Sequence, residues 1–310
     1  MPVQIECQTD ESALELAELV DSLEEGFDPR DEEGFAQWAP ALRRLANNRR
    51  FLGDLVIEEL KQHCAGQTAR NQYSAQVVLL HGGSRKFLLR ANFWPAESDS
   101  VYANSGPQPF FYGSPHDHNF SFLTVGYLGP GYWSDYYEYD YDRVAGCPGE
   151  EVDLRFIERA CLYPGRVLLY RKHRDVHSQL PPESLSVSLN ILALSDSSEF
   201  KEQYSFDLAS SRIAGIVNPS SLETLVRLAA TFGGGNGRDL VEDFAERHPS
   251  DRIRFAAWRA KAAEAPSIDA RIAIYEEAAA RLTGLTAALA AREAERVRAG
   301  RAWIEREVPV

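Results

Sequence analysis

Apolar positions near the start of the chain recur at helical spacing. Ala13, Leu14, Leu16, Ala17, Leu19 and Val20 fall on one stripe, bounded by Gly26 and Pro29, and Leu42, Leu45, Leu52, Leu55, Val56 and Leu60 continue it. The spacing predicts an N-terminal helical region over residues 1–72. From about residue 73 the period changes towards two. Residues 76–81 and 86–92 flank Gly82-Gly83-Ser84-Arg85 and predict a β-hairpin. Further strands are predicted near 119–128, 132–141, 151–160, 165–171 and 184–194. Short strands separated by Gly and Pro turns, with no intervening helices, imply an antiparallel sandwich or barrel over residues 73–200.

Helical periodicity returns in a C-terminal region, residues 201–310, and is clearest from about 219. Ser220-Ser221-Leu222-Glu223 after Pro219 suits a helix start. The run Gly233-Gly234-Gly235-Asn236-Gly237 reads as a flexible break. It lacks the Lys-Ser/Thr of a phosphate loop and follows a helix, which argues against a nucleotide site. Helical hairpins against the β core or against a second copy of the chain are expected here, so a homodimer through the helices is one candidate assembly.

Composition narrows the picture. The 310 residues carry a formal net charge of -13, which argues against nucleic acid and anionic lipid as partners. No apolar run approaches the roughly 20 residues that span a bilayer. The first residues lack the basic and apolar segments of a signal peptide. Cys7, Cys64, Cys147 and Cys161 are scattered without a CxxC pair, as expected of a cytoplasmic protein.

Five of the seven histidines, His81, His116, His118, His173 and His177, lie in the β region. Residues i and i+2 of a strand share a face. His116 and His118 can therefore point together at one metal ion, with Asp117 turned away in a supporting role. A surface pair at a strand end is the alternative. His177 is the preferred third ligand because an apolar strand precedes it and an alternating strand, Ser184 to Leu192, follows it. His173 can replace it as ligand or act in catalysis beside it.

The order of HxH, hairpin, single His and returning strand resembles the metal motifs of the cupin superfamily. The resemblance covers residues 73–195. Within it, Arg85–Arg90, His116-Asp117-His118, Val176-His177-Ser178 and Val187-Ser188-Leu189 look like segments of the cysteine (thiol) dioxygenase group. That resemblance implies a mainly β fold with α extensions, a cupin jelly-roll barrel flanked by helices. It also implies a mononuclear non-haem Fe(II) held by three histidines. Phe122 and Leu123 occupy the positions where most cupins carry a fourth, Glu ligand. The substrate pocket departs from the group. Tyr73 is followed by Ser74-Ala75 and not by the family's carboxylate-binding Arg. Leu123 and Leu192 stand at the crosslinked Cys and Tyr, and Asn190 stands at a His. Of that set Ser188 remains.

Other residues complete the expected site. Trp133 and Tyr137 lie on one face of the aromatic strand 132–141 as a candidate substrate wall, with Tyr137 as a hydrogen-bonding or acid–base group. Glu138, on the opposite face, is the carboxylate able to approach the metal. Arg85, Lys86 and Arg90 are candidates for binding a substrate carboxylate, Arg90 as the internal one, and Ser188 for contacting substrate. The leading expectation is an Fe(II)- and O2-dependent oxygenase acting on a small acid, amine, thiol or peptide. The alternatives are a Zn, Mn or Ni cupin isomerase or lyase that needs no O2, and a ligand-binding cupin without activity.

Overall fold

The computed structural model describes residues 2–7, 10–71, 73–74, 76–195 and 200–304. The chain divides into two compact units. Residues 1–141, 153–199 and 205–211 form one; residues 142–152, 200–204 and 212–310 form the other.

The first unit opens with a short strand, β1 (Val3–Gln4), and the helices α1 (Leu16–Gly26), α2 (Ala39–Asn47), α3 (Phe51–Lys61) and α4 (Ala65–Arg70). The strands β2 (Val77–His81) and β3 (Phe87–Trp94) follow. They are antiparallel, as the hairpin pattern predicts. After the short helix α5 (Ser100–Ser105) come β4 (Phe122–Leu128), β5 (Tyr132–Glu138), β6 (Arg155–Leu162), β7 (Val167–Tyr170), β8 (Asp175–Gln179) and β9 (Ser186–Ala193). They form a six-stranded sheet, β1-β7-β4-β9-β3-β2, and a three-stranded sheet, β6-β5-β8. From β6 onwards consecutive strands alternate between the sheets, the winding of a jelly roll. The core is a β-sandwich of two antiparallel sheets with helical extensions.

Side-chain parity decides what each sheet face does. On the six-stranded sheet, Leu89, Ala91, Leu123, Val125, Leu169, Leu189 and Ile191 share one apolar cluster with Leu19 and Leu23 of α1 and Leu42 and Leu45 of α2. The opposite face carries Trp94, Phe122, Leu168, Tyr170 and Leu192. It packs against Tyr132, Tyr136, Ala160 and Leu162 of the smaller sheet. Both faces of β9 are therefore buried, and its alternation separates two kinds of interior. Val187, Leu189 and Ile191 meet helices, while Ser186, Ser188 and Asn190 look into the sandwich.

Two expectations need correction. The segment holding His116 and His118 precedes β4, and His177 sits on a strand of its own, β8. Residues 204–216, assigned to the helical end, contain β10 (Tyr204–Asp207) and β11 (Arg212–Ile216) before the helices begin.

The second unit contains α6 (Leu222–Phe232), α7 (Gly234–Arg247), α8 (Asp251–Ala263), α9 (Ile268–Arg281) and α10 (Gly284–Ile304). Its core surrounds Trp258, which is fully buried and donates from Nε1 to the Ala245 carbonyl at 3.1 Å. The glycine run proves to be a tight junction. A Cβ on Gly237 would lie 2.1 Å from the Ala229 carbonyl oxygen, so glycine lets α7 close against α6. Ser250 and Ser267 cap α8 and α9 through their hydroxyls. Among the described residues no helix is long and apolar enough to cross a membrane.

The doubly covered sheet makes a prediction. Leu123 is fully buried between strand and helices. Leu123→Ala should cost about 2–5 kcal/mol, read as a lower denaturation midpoint. An unchanged midpoint would show that the helices do not seal this face.

Candidate metal centre

Backbone hydrogen bonds set the positions of the three histidines before side chains enter. The His116 N–H donates to the His177 carbonyl at 3.1 Å, and the His177 N–H donates back at 3.0 Å. This reciprocal pair ties the segment before β4 to β8. The His173 N–H donates to the His118 carbonyl at 2.8 Å, fixing His118 to the turn before β8. His173 takes a positive φ of 58° in that turn.

The three imidazoles converge. His118 Nε2 lies 3.0 Å from His177 Nε2, which lies 3.3 Å from His116 Nε2. All three rings are buried, and they form a group able to hold a metal ion. Metal–nitrogen bonds of about 2.0–2.1 Å at angles between 90° and 109° place two nitrogens about 2.9–3.4 Å apart. The observed separations match that requirement. Desolvation pushes His116 down to about 4, with the Arg90 charge acting in the same direction. Burial drives His118 and His177 lower as well, with Arg90 and the neighbouring rings adding to it. All three are neutral at neutral pH, the form in which imidazole binds metal.

The outward nitrogens orient the rings. His116 Nδ1 donates to the Ser114 carbonyl at 2.7 Å, which leaves Nε2 with its lone pair. The Gln179 amide nitrogen lies 2.9 Å from His177 Nδ1 and 3.1 Å from its Nε2, while Gln179 Oε1 is buried without a partner. Turning that amide over would let Oε1 accept from Nδ1–H and satisfy both groups. It would leave His177 Nε2 as the ligand atom. Aromatic rings close around the site. Phe120 and Phe122 lie 5.0 and 4.9 Å from His118, and Tyr170 lies 4.9 Å from His177. The Tyr170 hydroxyl donates to that of Tyr136 at 3.1 Å. Burial raises both phenols above their ordinary range, so both stay protonated.

The other expected site residues are distributed differently. Glu138 is outside the three-histidine group. Arg155, Arg171 and Arg174 reach its carboxylate at 3.1, 2.8 and 3.4 Å, so the charge is taken up by guanidinium groups. Trp133 is half exposed on the outer face of β5. Tyr137 shares that outer face and meets Phe156 edge-on at 5.3 Å. The inward residues of this strand are Tyr132, Ser134 and Tyr136. His173 packs against Tyr141 at 4.1 Å, outside the ligand group. Ser188 is fully buried and is engaged by Trp94 Nε1 at 3.0 Å and by the Tyr132 hydroxyl. These bonds tie it to the aromatic wall. Asp117 turns away from the histidines and accepts from the Tyr139 hydroxyl at 2.6 Å. Arg90 does lie inside the sandwich. It is buried, with its guanidinium over the Tyr73 ring at 5.0 Å, and its charge bears on all three histidines.

No family model matches the chain, and no curated protein matches it. Solved structures are similar over part of it. A DMSP lyase from Ruegeria pomeroyi DSS-3 matches 39% of this chain at 13% identity with a TM-score of 0.22. A protein from Neisseria meningitidis matches 43% at 13% identity with a TM-score of 0.20, and hazelnut (Corylus avellana) vicilin matches 50% at 13% identity with a TM-score of 0.23. The similarity covers 46% of the lyase chain, 95% of the Neisseria chain and 38% of the vicilin chain.

Two outcomes are expected. His116→Ala, His118→Ala and His177→Ala should each lose bound metal with the fold intact, whereas His173→Ala should keep it. Metal analysis beside circular dichroism checks this, and full stoichiometry in the first three variants would refute the ligand set. Gln179→Leu should keep a metal site weakened about 10–100-fold, read by competition with a chelator.

Proposed function

We propose that this chain is a metal-dependent enzyme of the three-His cupin type, and that its chemistry is the Fe(II)- and O2-dependent oxidation of a small anionic substrate. The observation that carries this reading is the convergence of three buried imidazole nitrogens with no carboxylate in the group. Three neutral ligands leave the full charge of a divalent ion to attract an anion, and they leave coordination positions open. Fe(II), when bound there, supplies the electrons that O2 chemistry requires.

The chain's own residues do the rest. Arg90 offers a buried guanidinium for which no carboxylate partner is seen among the described residues, so a substrate anion would complete it. Trp94 stacks on Tyr132 at 4.0 Å, and Phe122 stacks on Tyr170 at 4.3 Å. These rings keep water from the reacting group. Tyr136 and Tyr170 hold their protons; with the Tyr170 proton engaged on the Tyr136 oxygen, the Tyr136 hydroxyl is the one that can donate to substrate oxygen.

The same phenol pair beside His177 favours a second reading, a lyase or isomerase in which Zn, Mn or Ni polarises the substrate and a tyrosine passes a proton. Oxygen separates the two. Protein purified anaerobically and loaded with Fe(II) should consume O2 when screened with small acids, amines, thiols and peptides. Turnover undiminished under strict anaerobiosis would replace the oxygenase reading with the second one. Arg90→Leu should raise KM for an anionic substrate by about 10–100-fold, measured in steady-state kinetics. An unchanged KM would remove Arg90 from the site.

A further inference from the structure

The interior face of the large sheet carries polar groups that the metal centre does not use. Arg90 of β3 is the register partner of Asn190 of β9, which is in turn the partner of Thr124 of β4. The three side chains form one row across three adjacent strands, with Asn92 one step along β3 on the same face. Their exposures are 8%, 3%, 1% and 7% for Arg90, Asn190, Thr124 and Asn92. Each has a buried polar atom without a hydrogen-bond partner: Arg90 Nε, Asn190 Nδ2, Thr124 Oγ1 and Asn92 Oδ1. A buried polar atom left unpaired pays the cost of leaving water without the return of a hydrogen bond. Four together, on the inner sheet face whose Arg90 charge bears on the three histidines, mark a surface suited to a polar ligand.

The chemistry of the row selects that ligand. Arg90 asks for an anion. Asn190 Nδ2 is a donor, Asn92 Oδ1 an acceptor, and the Thr124 hydroxyl serves as either. Neighbouring strands lie about 4.8 Å apart, so the row suits a molecule of a few heavy atoms with its polar groups close together. A substrate ammonium is disfavoured. It would face the Arg90 charge and a divalent ion, and the buried carboxylates Asp117 and Asp175 are engaged by Tyr139 and Arg171. A hydroxyl meets no such penalty and can both donate and accept.

We infer that the substrate is a small hydroxy-carboxylate, its carboxylate on Arg90 and its hydroxyl bonded within the Asn190, Thr124 and Asn92 set. This rests on the metal-centre reading for the reaction but not for the binding. The test therefore uses metal-free full-length protein. Lactate, propionate and alanine are compared by ligand-observed NMR titration. Lactate should bind, and propionate and alanine should each bind at least about tenfold more weakly, one lost hydrogen bond or one unfavourable charge being worth that much. Thr124→Val and Asn190→Leu, which keep side-chain volume, should lower lactate binding to the propionate level and leave propionate unchanged. Arg90→Leu should abolish both. No lactate binding, equal binding of the three probes, or Thr124→Val and Asn190→Leu variants that bind lactate like the parent would each overturn the inference. Metal uptake, measured separately on the same variants, should be unchanged by Thr124→Val and Asn190→Leu. A chain that binds lactate selectively but takes up no metal would refute the metal-centre reading alone.

Discussion

The site depends on the six-stranded sheet having both faces covered. Helices α1 and α2 remove one face from water through Leu19, Leu23, Leu42 and Leu45. The smaller sheet covers the other through Tyr132, Tyr136 and Leu162. Inside, an ion pair or hydrogen bond is worth more than in water, and an unpaired polar group costs more. The buried guanidinium of Arg90 and the neutral imidazoles both follow from this dry, doubly sealed setting. Without the helical cover the sheet would expose its apolar face, and the polar interior would lose the support that holds it open.

Much of the fold was readable from periodicity. The hairpin 76–92, the returning strand 184–194 and the terminal helices follow from alternation and helical stripes. The strand β8 was not readable. Asp175 to Gln179 has no alternation of apolar and polar residues, because all five side chains are buried and the polar ones serve the site. Residues 204–216 were missed for a related reason, since their strands are short and pairing rather than pattern creates them. The glycine run 233–237 was misread because glycine serves close helix approach as well as flexibility. Gly237 sits against the Ala229 carbonyl.

The ligand histidines stood out through spacing, since i and i+2 share a face. The surrounding residues did not, because an aromatic strand such as 132–138 offers two faces and the sequence does not say which is inward. Trp133 and Tyr137 point out; Tyr132 and Tyr136 point in. Glu138 shares the inward parity, but at the strand's end it meets Arg155 of β6 and Arg171 and Arg174 of the turn before β8. The useful signal lay in β9. Polar residues at 186, 188 and 190 alternating with Val187, Leu189 and Ile191 resemble a solvent-facing edge. In a sheet covered on both sides the same alternation marks a polar face buried inside the sandwich.

The reciprocal backbone pair between His116 and His177 has a consequence for metal choice. Main-chain bonds hold the ligands in place, so little ordering cost falls on metal binding. A prepared set of three neutral imidazoles would discriminate weakly among divalent ions, since affinities follow the general order in which copper and zinc outrank iron. On the proposed reading, supply would govern which ion the three histidines take up. The same polypeptide made in zinc-rich, aerobic cells and in iron-rich, anaerobic ones would be two chemically different proteins with one fold.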